Sequence, residues 1–125
     1  MMKYLRIVLK GVVSLTILNV WIVRVNKKSI YRGGDSTDLI TEFASYGLSV
    51  NTMYVIGIIK VVAALFLLIS IFNKKLEFIP LVTIAALMIG AIYFHFSIDD
   101  TLIKSMPAAL MLTFSLAIYL IKPVE

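Results

Sequence analysis

The sequence predicts an all-α membrane protein: an antiparallel bundle of four transmembrane helices, with a short interfacial helix between the first and second spans. Composition and length support this fold class. Of the 125 residues, 61% are hydrophobic and 15% are charged, whereas soluble domains contain roughly 45 to 50% apolar and about 25% charged residues. A membrane-spanning helix needs about 20 residues, so the chain has room for four spans and their connections. These proportions exclude a water-soluble globule and a disordered chain.

Four long apolar runs define the spans. We expect a single transmembrane domain over residues 1–125, with spans at about residues 5–24, 53–72, 78–97 and 106–122. The first run has the charged start of a secretory signal, but it is longer than the hydrophobic region of such a signal and has no small-residue cleavage site. It is therefore expected to be a retained helix. Pro80 and Pro107 are each expected in the first turn of a span, where a missing N–H is harmless.

The polar connection after the first span contains the interfacial helix, expected at about residues 36–46. Acidic and hydroxyl side chains at residues 35–38 offer an N-cap, apolar residues then recur at helical spacing, and Gly47 closes the segment. This combination is typical of a short amphipathic helix lying at a membrane surface.

The charges indicate lipid headgroups as the counter-charge. The net charge is +5, but the 12 Lys and Arg residues are spread in ones and twos beside apolar runs, as in juxtamembrane anchors. The sequence contains no basic stripe interleaved with aromatic residues, so nucleic-acid binding is not expected. Membrane lipids are therefore the expected partners, and a membrane-protein partner or a second copy of the chain is left open.

The Lys and Arg residues near the span ends were counted to orient the bundle in the membrane. Four spans place both termini on one side, and five Lys or Arg residues lie near the span ends on each side. The positive-inside rule therefore does not orient the bundle.

The chain contains no cysteine, which excludes disulfides, thiolate redox chemistry and cysteine-bound metal sites.

Lys60 is the first candidate functional residue, because an ionisable side chain inside a span costs about 2.5 to 3.5 kcal/mol on insertion scales. It lies about 12 Å into its span at 1.5 Å per residue. Gly57, Ala63 and Ala64 share its helix face, which predicts that Lys60 points into the bundle. No Asp or Glu is expected inside a span to neutralise it.

The role of Lys60 is open at this point. It can hold an anionic or polar group of a ligand or partner. It can equally link helices by donating to backbone carbonyls or to hydroxyls such as those of Ser14, Thr83 and Ser115. The third alternative is that the Lys60 side chain snorkels to the membrane surface or loses its proton.

His95 and Asn19 are the other polar candidates. His95 is the single histidine and lies near the end of the third span. It is expected to bond a carbonyl or Asp99 at the interface, or to make a polar contact inside a ligand pocket. A proton relay is the weakest alternative, because no buried carboxylate is expected beside it. Asn19 can bond across the bundle.

The remaining polar and aromatic residues are expected at the membrane surface. Lys10 is close enough to the membrane edge to snorkel, and Asp99 and Asp100 make a solvated turn. An interfacial aromatic belt is expected from Trp21, Tyr31, Tyr46 and Tyr54.

Several segments resemble the DoxX-like family of small four-helix membrane proteins. They are FASYGL at 43–48, the GIIKVVAAL stretch at 57–65, and GAIYFH at 90–95, which is followed by Asp99-Asp100 and by Pro107. The resemblance covers roughly residues 40 to 122 and preserves the order of the motifs. It implies a shared polar site at Gly57, Lys60 and His95, without a catalytic role for any of them.

The resemblance also implies a wide range of functions. Some relatives are membrane subunits of quinone-linked sulfur oxidation, others resemble maturation proteins of methylamine utilisation, and an animal branch assists receptor assembly. We expect a non-catalytic protein of the bacterial inner (cytoplasmic) membrane. It would be an accessory or assembly factor, or would bind a lipid-like or quinone-like molecule near Lys60, His95, Gly57 and Asn19.

Two other classes of function are weighed against this expectation. One is a membrane subunit of a quinone-linked oxidoreductase complex, which needs a partner carrying the electron-transfer centre. The other is a small transporter, for which the membrane-embedded glutamate of proton-coupled exporters is missing. No nucleotide-binding loop, hydrolase serine motif, paired-carboxylate site or metal site is present. No enzyme activity is expected of the chain alone, and no cofactor is evident beyond a quinone or lipid.

Overall fold

A computed structural model describes residues 2–23 and 38–121, and this part of the chain contains helices but no strands. Its elements are α1 (Met2–Leu18), which continues as a π-helical segment (Asn19–Val23), α2 (Leu39–Ser45), α3 (Val50–Ile69), a 3₁₀ turn (Lys74–Leu76), α4 (Phe78–Ser97) and α5 (Leu102–Leu120). Four of these helices, α1 with its π-helical end, α3, α4 and α5, are long and apolar enough to cross a membrane. The predicted all-α, four-span fold class is confirmed.

The four long helices form a ring in the order α1, α3, α4, α5, and α5 packs back against α1. Each helix contributes at least one fully buried residue to the main core, and Val13, Leu67, Ile84 and Ile118 are examples. Large apolar side chains cover the outer surface of the ring. Because lipid tails are as apolar as these residues, close packing rather than water exclusion holds such a bundle together.

The short helix α2 begins with a capping box. The backbone N–H of Thr41 donates to the Asp38 carboxylate at 2.9 Å, and the Asp38 N–H donates to the Thr41 hydroxyl at 3.2 Å. The chain leaves the helix at Gly47, whose φ of +80° suits glycine. Phe43 anchors α2 on Met53 of α3. A short helix is therefore present where it was expected, and residues 35–37 of the predicted N-cap region lie outside the described residues.

Helices α3 and α5 begin earlier than the sequence indicated. Helix α3 starts at Val50, where the Ser49 hydroxyl accepts from the backbone N–H of Thr52 at 3.1 Å. Helix α5 starts at Leu102 rather than at residue 106, so Pro107 lies inside the helix and not in its first turn. The prediction was wrong because Ser105-Met106-Pro107 was taken as the opening of the span by analogy with Pro80, whereas the helix begins several residues earlier and Ser105 is already buried within it.

Candidate functional site

A cavity of about 540 Å³ lies in the half of the bundle away from the chain ends. The end of α1, helix α2, the first half of α3, the end of α4 and the start of α5 all contribute to its wall. The small residues Ala86, Gly90 and Ala108 line it, and larger residues there would reduce the space. Most of the lining is apolar, with a few polar side chains, which is the usual construction of a small-molecule site.

Lys60 is buried and faces this cavity, as its small-residue helix face predicted. Its ammonium nitrogen lies 4.8 Å from the centroid of the Trp21 ring, a cation–π contact. No hydrogen bond from Lys60 is made within residues 2–23 and 38–121. The hydroxyls of Ser14 and Ser115, two of the expected acceptors, are buried without any partner in the described structure. Lys60 is therefore held at the cavity wall by an aromatic face and not by helix-linking hydrogen bonds.

A carboxylate near Lys60 is a correction to the sequence analysis. The spans were expected to supply none, but the short helix α2 brings Glu42 to the wall of the same cavity. Glu42 is only 7% exposed, and its charge acts favourably on Lys60. The sequence spacing could have predicted this position, because Glu42 and Tyr46 are four residues apart and share the face of α2 that meets the bundle.

His95 is buried at the same cavity and joins two elements. Its Nδ1 lies 2.7 Å from a carboxylate oxygen of Asp100, and the Tyr46 hydroxyl lies 3.2 Å from the same nitrogen. The prediction that His95 bonds Asp99 was wrong. Asp99 takes the left-handed backbone conformation in the turn after α4 (φ 54°), and the next residue, Asp100, makes the contact with the ring. The Asp100 side chain is only 5% exposed, so it is not part of a solvated turn.

These contacts form a continuous polar chain beside the cavity. The Tyr46 hydroxyl lies 3.4 Å from the Glu42 carboxylate, and on the far side of His95 the Asp100 carboxylate lies 3.7 Å from the Lys104 ammonium. The absence of a carboxylate next to His95 was the argument against a proton relay. That argument no longer holds, because carboxylates stand at both ends of the Tyr46–His95 pair.

Gly57 and Asn19 occupy different positions relative to the cavity. Asn19 lies in the π-helical segment and lines it, but makes no hydrogen bond across the described part of the bundle. Gly57 lies behind Trp21 instead, since a Cβ built there would come within 2.7 Å of two Trp21 ring atoms. The structure thus brings Lys60, His95 and Asn19 together, with Gly57 acting through Trp21.

Two residues expected in an aromatic belt are part of this site. Trp21 is partly buried, and its ring meets Phe43 edge-on at 5.7 Å between centroids. Tyr46 stacks on Phe94 at 5.5 Å. Tyr54 is exposed on the outside of α3, as a belt residue would be, and Tyr31 lies outside the described residues.

A second charged cluster, at the opposite end of the bundle, was missed. Lys10 does not snorkel: it is 3% exposed, and its ammonium donates to the Ser70 carbonyl at 3.1 Å and pairs with Glu77 at 2.8 Å. Arg6 also pairs with Glu77, and it donates to the carbonyls of Ile118 and Ile121. Glu77 lies 67 or more residues from both cations, so local sequence could not reveal the pairing.

The described residues contain no group of three His, Asp or Glu side chains that could hold a metal ion. The polar groups at the cavity are instead suited to an organic head group, with Lys60 as a donor, His95 and Tyr46 as donors or acceptors, and Glu42 as an acceptor.

Comparison with known proteins identifies the family. The model of the DoxX-like family matches residues 30–118, which is more than half of the chain and includes α2, α3, α4 and most of α5. No match is found among curated proteins or among solved structures. The matched region contains Lys60, Glu42 and His95, and the four apolar helices make the chain an integral, multi-pass membrane protein. On this evidence the chain belongs to the DoxX-like family.

Proposed function

We propose that this protein is a non-catalytic membrane protein that binds a lipid-like or quinone-like molecule in the bundle cavity and acts as an accessory or assembly factor. The observation that carries the proposal is Lys60, a buried ammonium that faces a cavity of about 540 Å³ and makes no hydrogen bond among the described residues. We also propose the bacterial inner membrane as its location, because spans there are α-helical, whereas outer-membrane proteins are typically β-barrels.

Burial of Lys60 without an acceptor is costly, and this cost supports a bound head group. Removing an ammonium from water is unfavourable unless other groups replace its hydration. The Trp21 face and the Glu42 charge replace part of it. An oxygen atom of a ligand, such as a quinone carbonyl or a lipid ester, would supply a hydrogen-bond acceptor at the same point. The apolar remainder of the wall would then take a ring or an acyl chain.

A second candidate is a membrane subunit of a quinone-linked oxidoreductase. The polar chain from Glu42 through Tyr46 and His95 to Asp100 favours it, because a redox-active quinone exchanges protons and this chain could carry them between the cavity and the α4–α5 turn. Such a role needs a partner with an electron-transfer centre. Co-purification of a haem, flavin or iron–sulfur protein would support it over the accessory role.

Native mass spectrometry of protein released gently from membranes tests the leading proposal. Wild type, Lys60→Met and Lys74→Gln should be compared for a retained small molecule. Lys60→Met removes the ammonium but keeps an apolar stem of similar length, and Lys74→Gln removes an exposed charge outside the cavity. We expect a mass held by wild type and Lys74→Gln and lost in Lys60→Met.

Two results would contradict the proposal. The first is protein without any adduct in all three samples, and the second is an adduct that Lys60→Met retains at the wild-type level. Helical circular dichroism should accompany the measurement as a check on folding, because Trp21 contacts Lys60 and its fluorescence would respond to the substitution itself. If Lys60→Met unfolds, the more conservative Lys60→Arg, which keeps the charge and the donor, should retain the adduct.

A further inference from the structure

A second cavity, of about 530 Å³, lies between α3 and α4 and is lined differently from the first. Its walls are apolar and include Ile59, Val62 and Phe66 of α3 and Ile79 of α4. All four of these side chains are at least 42% exposed, so the cavity is a groove on the outer surface of the bundle. In a four-span protein that surface faces lipid.

The groove has one charged residue, and it is at one end. Lys75 of the 3₁₀ turn lines the groove at the level where α3 ends and α4 begins. Its side chain is exposed and makes no ion pair or hydrogen bond in the described part of the chain. The nearby Glu77 is already paired with Arg6 and Lys10. The Thr83 hydroxyl in the groove donates to the Ile79 carbonyl at 2.8 Å, so Lys75 is the polar group that the groove offers to a ligand.

We infer that this groove binds one anionic phospholipid, with an acyl chain between α3 and α4 and the phosphate on Lys75. The two parts of the site match the two parts of such a lipid in order and position. From Ile58 to Phe66 the groove follows α3 for about 12 Å at 1.5 Å per residue, a stretch that can hold much of an acyl chain. The cation lies beyond the apolar walls, at the turn, where the hydrocarbon meets the headgroups.

The inference is independent of the proposed function, because the groove and the bundle cavity share no lining residue. A ligand at Lys60 and a lipid at Lys75 are therefore separate binding events. Loss of one should leave the other unchanged.

The test uses the purified protein exchanged into vesicles or mixed micelles that contain equal amounts of phosphatidylglycerol and phosphatidylcholine, followed by native mass spectrometry. We expect wild type to retain phosphatidylglycerol in preference to phosphatidylcholine. Removing one lysine near the membrane surface should reduce that preference about fivefold in Lys75→Gln. Lys74→Gln is the matched control: it removes the same charge from the same turn, but Lys74 does not line the groove.

A second variant tests the apolar part. Ile59→Trp fills the groove from its outward-facing wall, so it should lower the retention of both lipids and leave the helical circular dichroism unchanged. Equal losses in Lys74→Gln and Lys75→Gln would overturn the inference, because they would indicate diffuse surface charge. So would unchanged lipid retention in both Lys75→Gln and Ile59→Trp. A dimer mass that Ile59→Trp abolishes would also overturn it, since a second copy would then occupy the groove.

Discussion

At the scale of single residues, Gly57 determines where Trp21 can lie, and Trp21 in turn supports Lys60. The Trp21 ring occupies the space that a side chain at position 57 would need. From there it reaches the Lys60 ammonium on one side and Phe43 of α2 on the other. Gly57 of α3 thus links the buried cation to the short helix, although Gly57 itself does not line the bundle cavity.

We predict that Gly57→Ala displaces Trp21 and destabilises the bundle by about 1 to 3 kcal/mol, the usual range for an overpacked site. The added Cβ would lie 2.7 Å from two ring atoms, so the ring must move. Because Trp21 is the only tryptophan in the chain, its fluorescence emission reports this movement directly. Thermal unfolding in detergent gives the stability change.

Gly11→Ala is the matched control for this substitution. Gly11 also lies in a spanning helix, but a Cβ there meets nothing within 4 Å. This variant should be as stable as wild type or gain up to about 1 kcal/mol from helix propensity. If Gly57→Ala leaves the Trp21 emission unchanged and unfolds at the same temperature as Gly11→Ala, then Trp21 does not lie against Gly57.

At the scale of helices, Arg6, Lys10 and Glu77 tie together four helix ends on the side of the chain termini. Both cations come from α1, Glu77 precedes α4, and the accepting carbonyls belong to the last turns of α3 and α5. A cation at a helix C-terminus also interacts favourably with the helix dipole. The cluster therefore sets how the four helices meet at this end.

We predict that Glu77→Gln destabilises the bundle by about 3 to 5 kcal/mol, because it leaves two buried cations without their carboxylate. Arg6 and Lys10 are only 4% and 3% exposed, so water cannot readily replace the lost partner. Unfolding titrations in mixed micelles should show the loss. The double variant Lys10→Met/Glu77→Gln should recover part of it, since it removes one of the two unpaired charges.

A wild-type unfolding midpoint for Glu77→Gln would show that the cluster contributes little. Lys75→Gln provides the comparison within the same turn. It removes a charge with no ion pair in the described structure, so its unfolding should match that of wild type.

At the scale of the whole molecule, hydropathy and capping signals were enough to predict the architecture. The four spans and the short helix followed from apolar runs, a capping pattern and Gly47. The boundary error at α5 arose because Pro107 was assigned to a first turn by analogy with Pro80. Pro80 does lie there, as the third residue of α4, but apolar residues before Pro107 extend α5 backward by several residues.

The polar contacts between helices were far less predictable, because they join residues distant in sequence. Lys60 was placed inward by its neighbours on α3, but its nearby carboxylate comes from α2. Lys10 pairs with a glutamate from the other side of the α3–α4 turn. Rules for single spans predict that a lysine near a membrane edge snorkels. They do not include a carboxylate that another helix brings to the lysine in the folded protein.

The antiparallel ring also fixes which connections share a side of the membrane. The α3–α4 turn and the α4–α5 turn must lie on opposite sides, because α4 crosses once between them. The chain has no cysteine, so single cysteines can be introduced without background. Asn73→Cys and Thr101→Cys place one in each turn, and the side chains at both positions are exposed.

We predict that, in sealed vesicles of uniform orientation, a membrane-impermeant maleimide labels only one of these two variants, and that it labels both after detergent is added. The Thr101 side chain makes no capping hydrogen bond, so its replacement should not disturb α5. Labelling of both variants before detergent would mean that α4 does not cross the membrane or that the protein inserts in two orientations. A second impermeant reagent, enclosed in the vesicles, separates these cases, because dual insertion leaves each variant partly protected from either side.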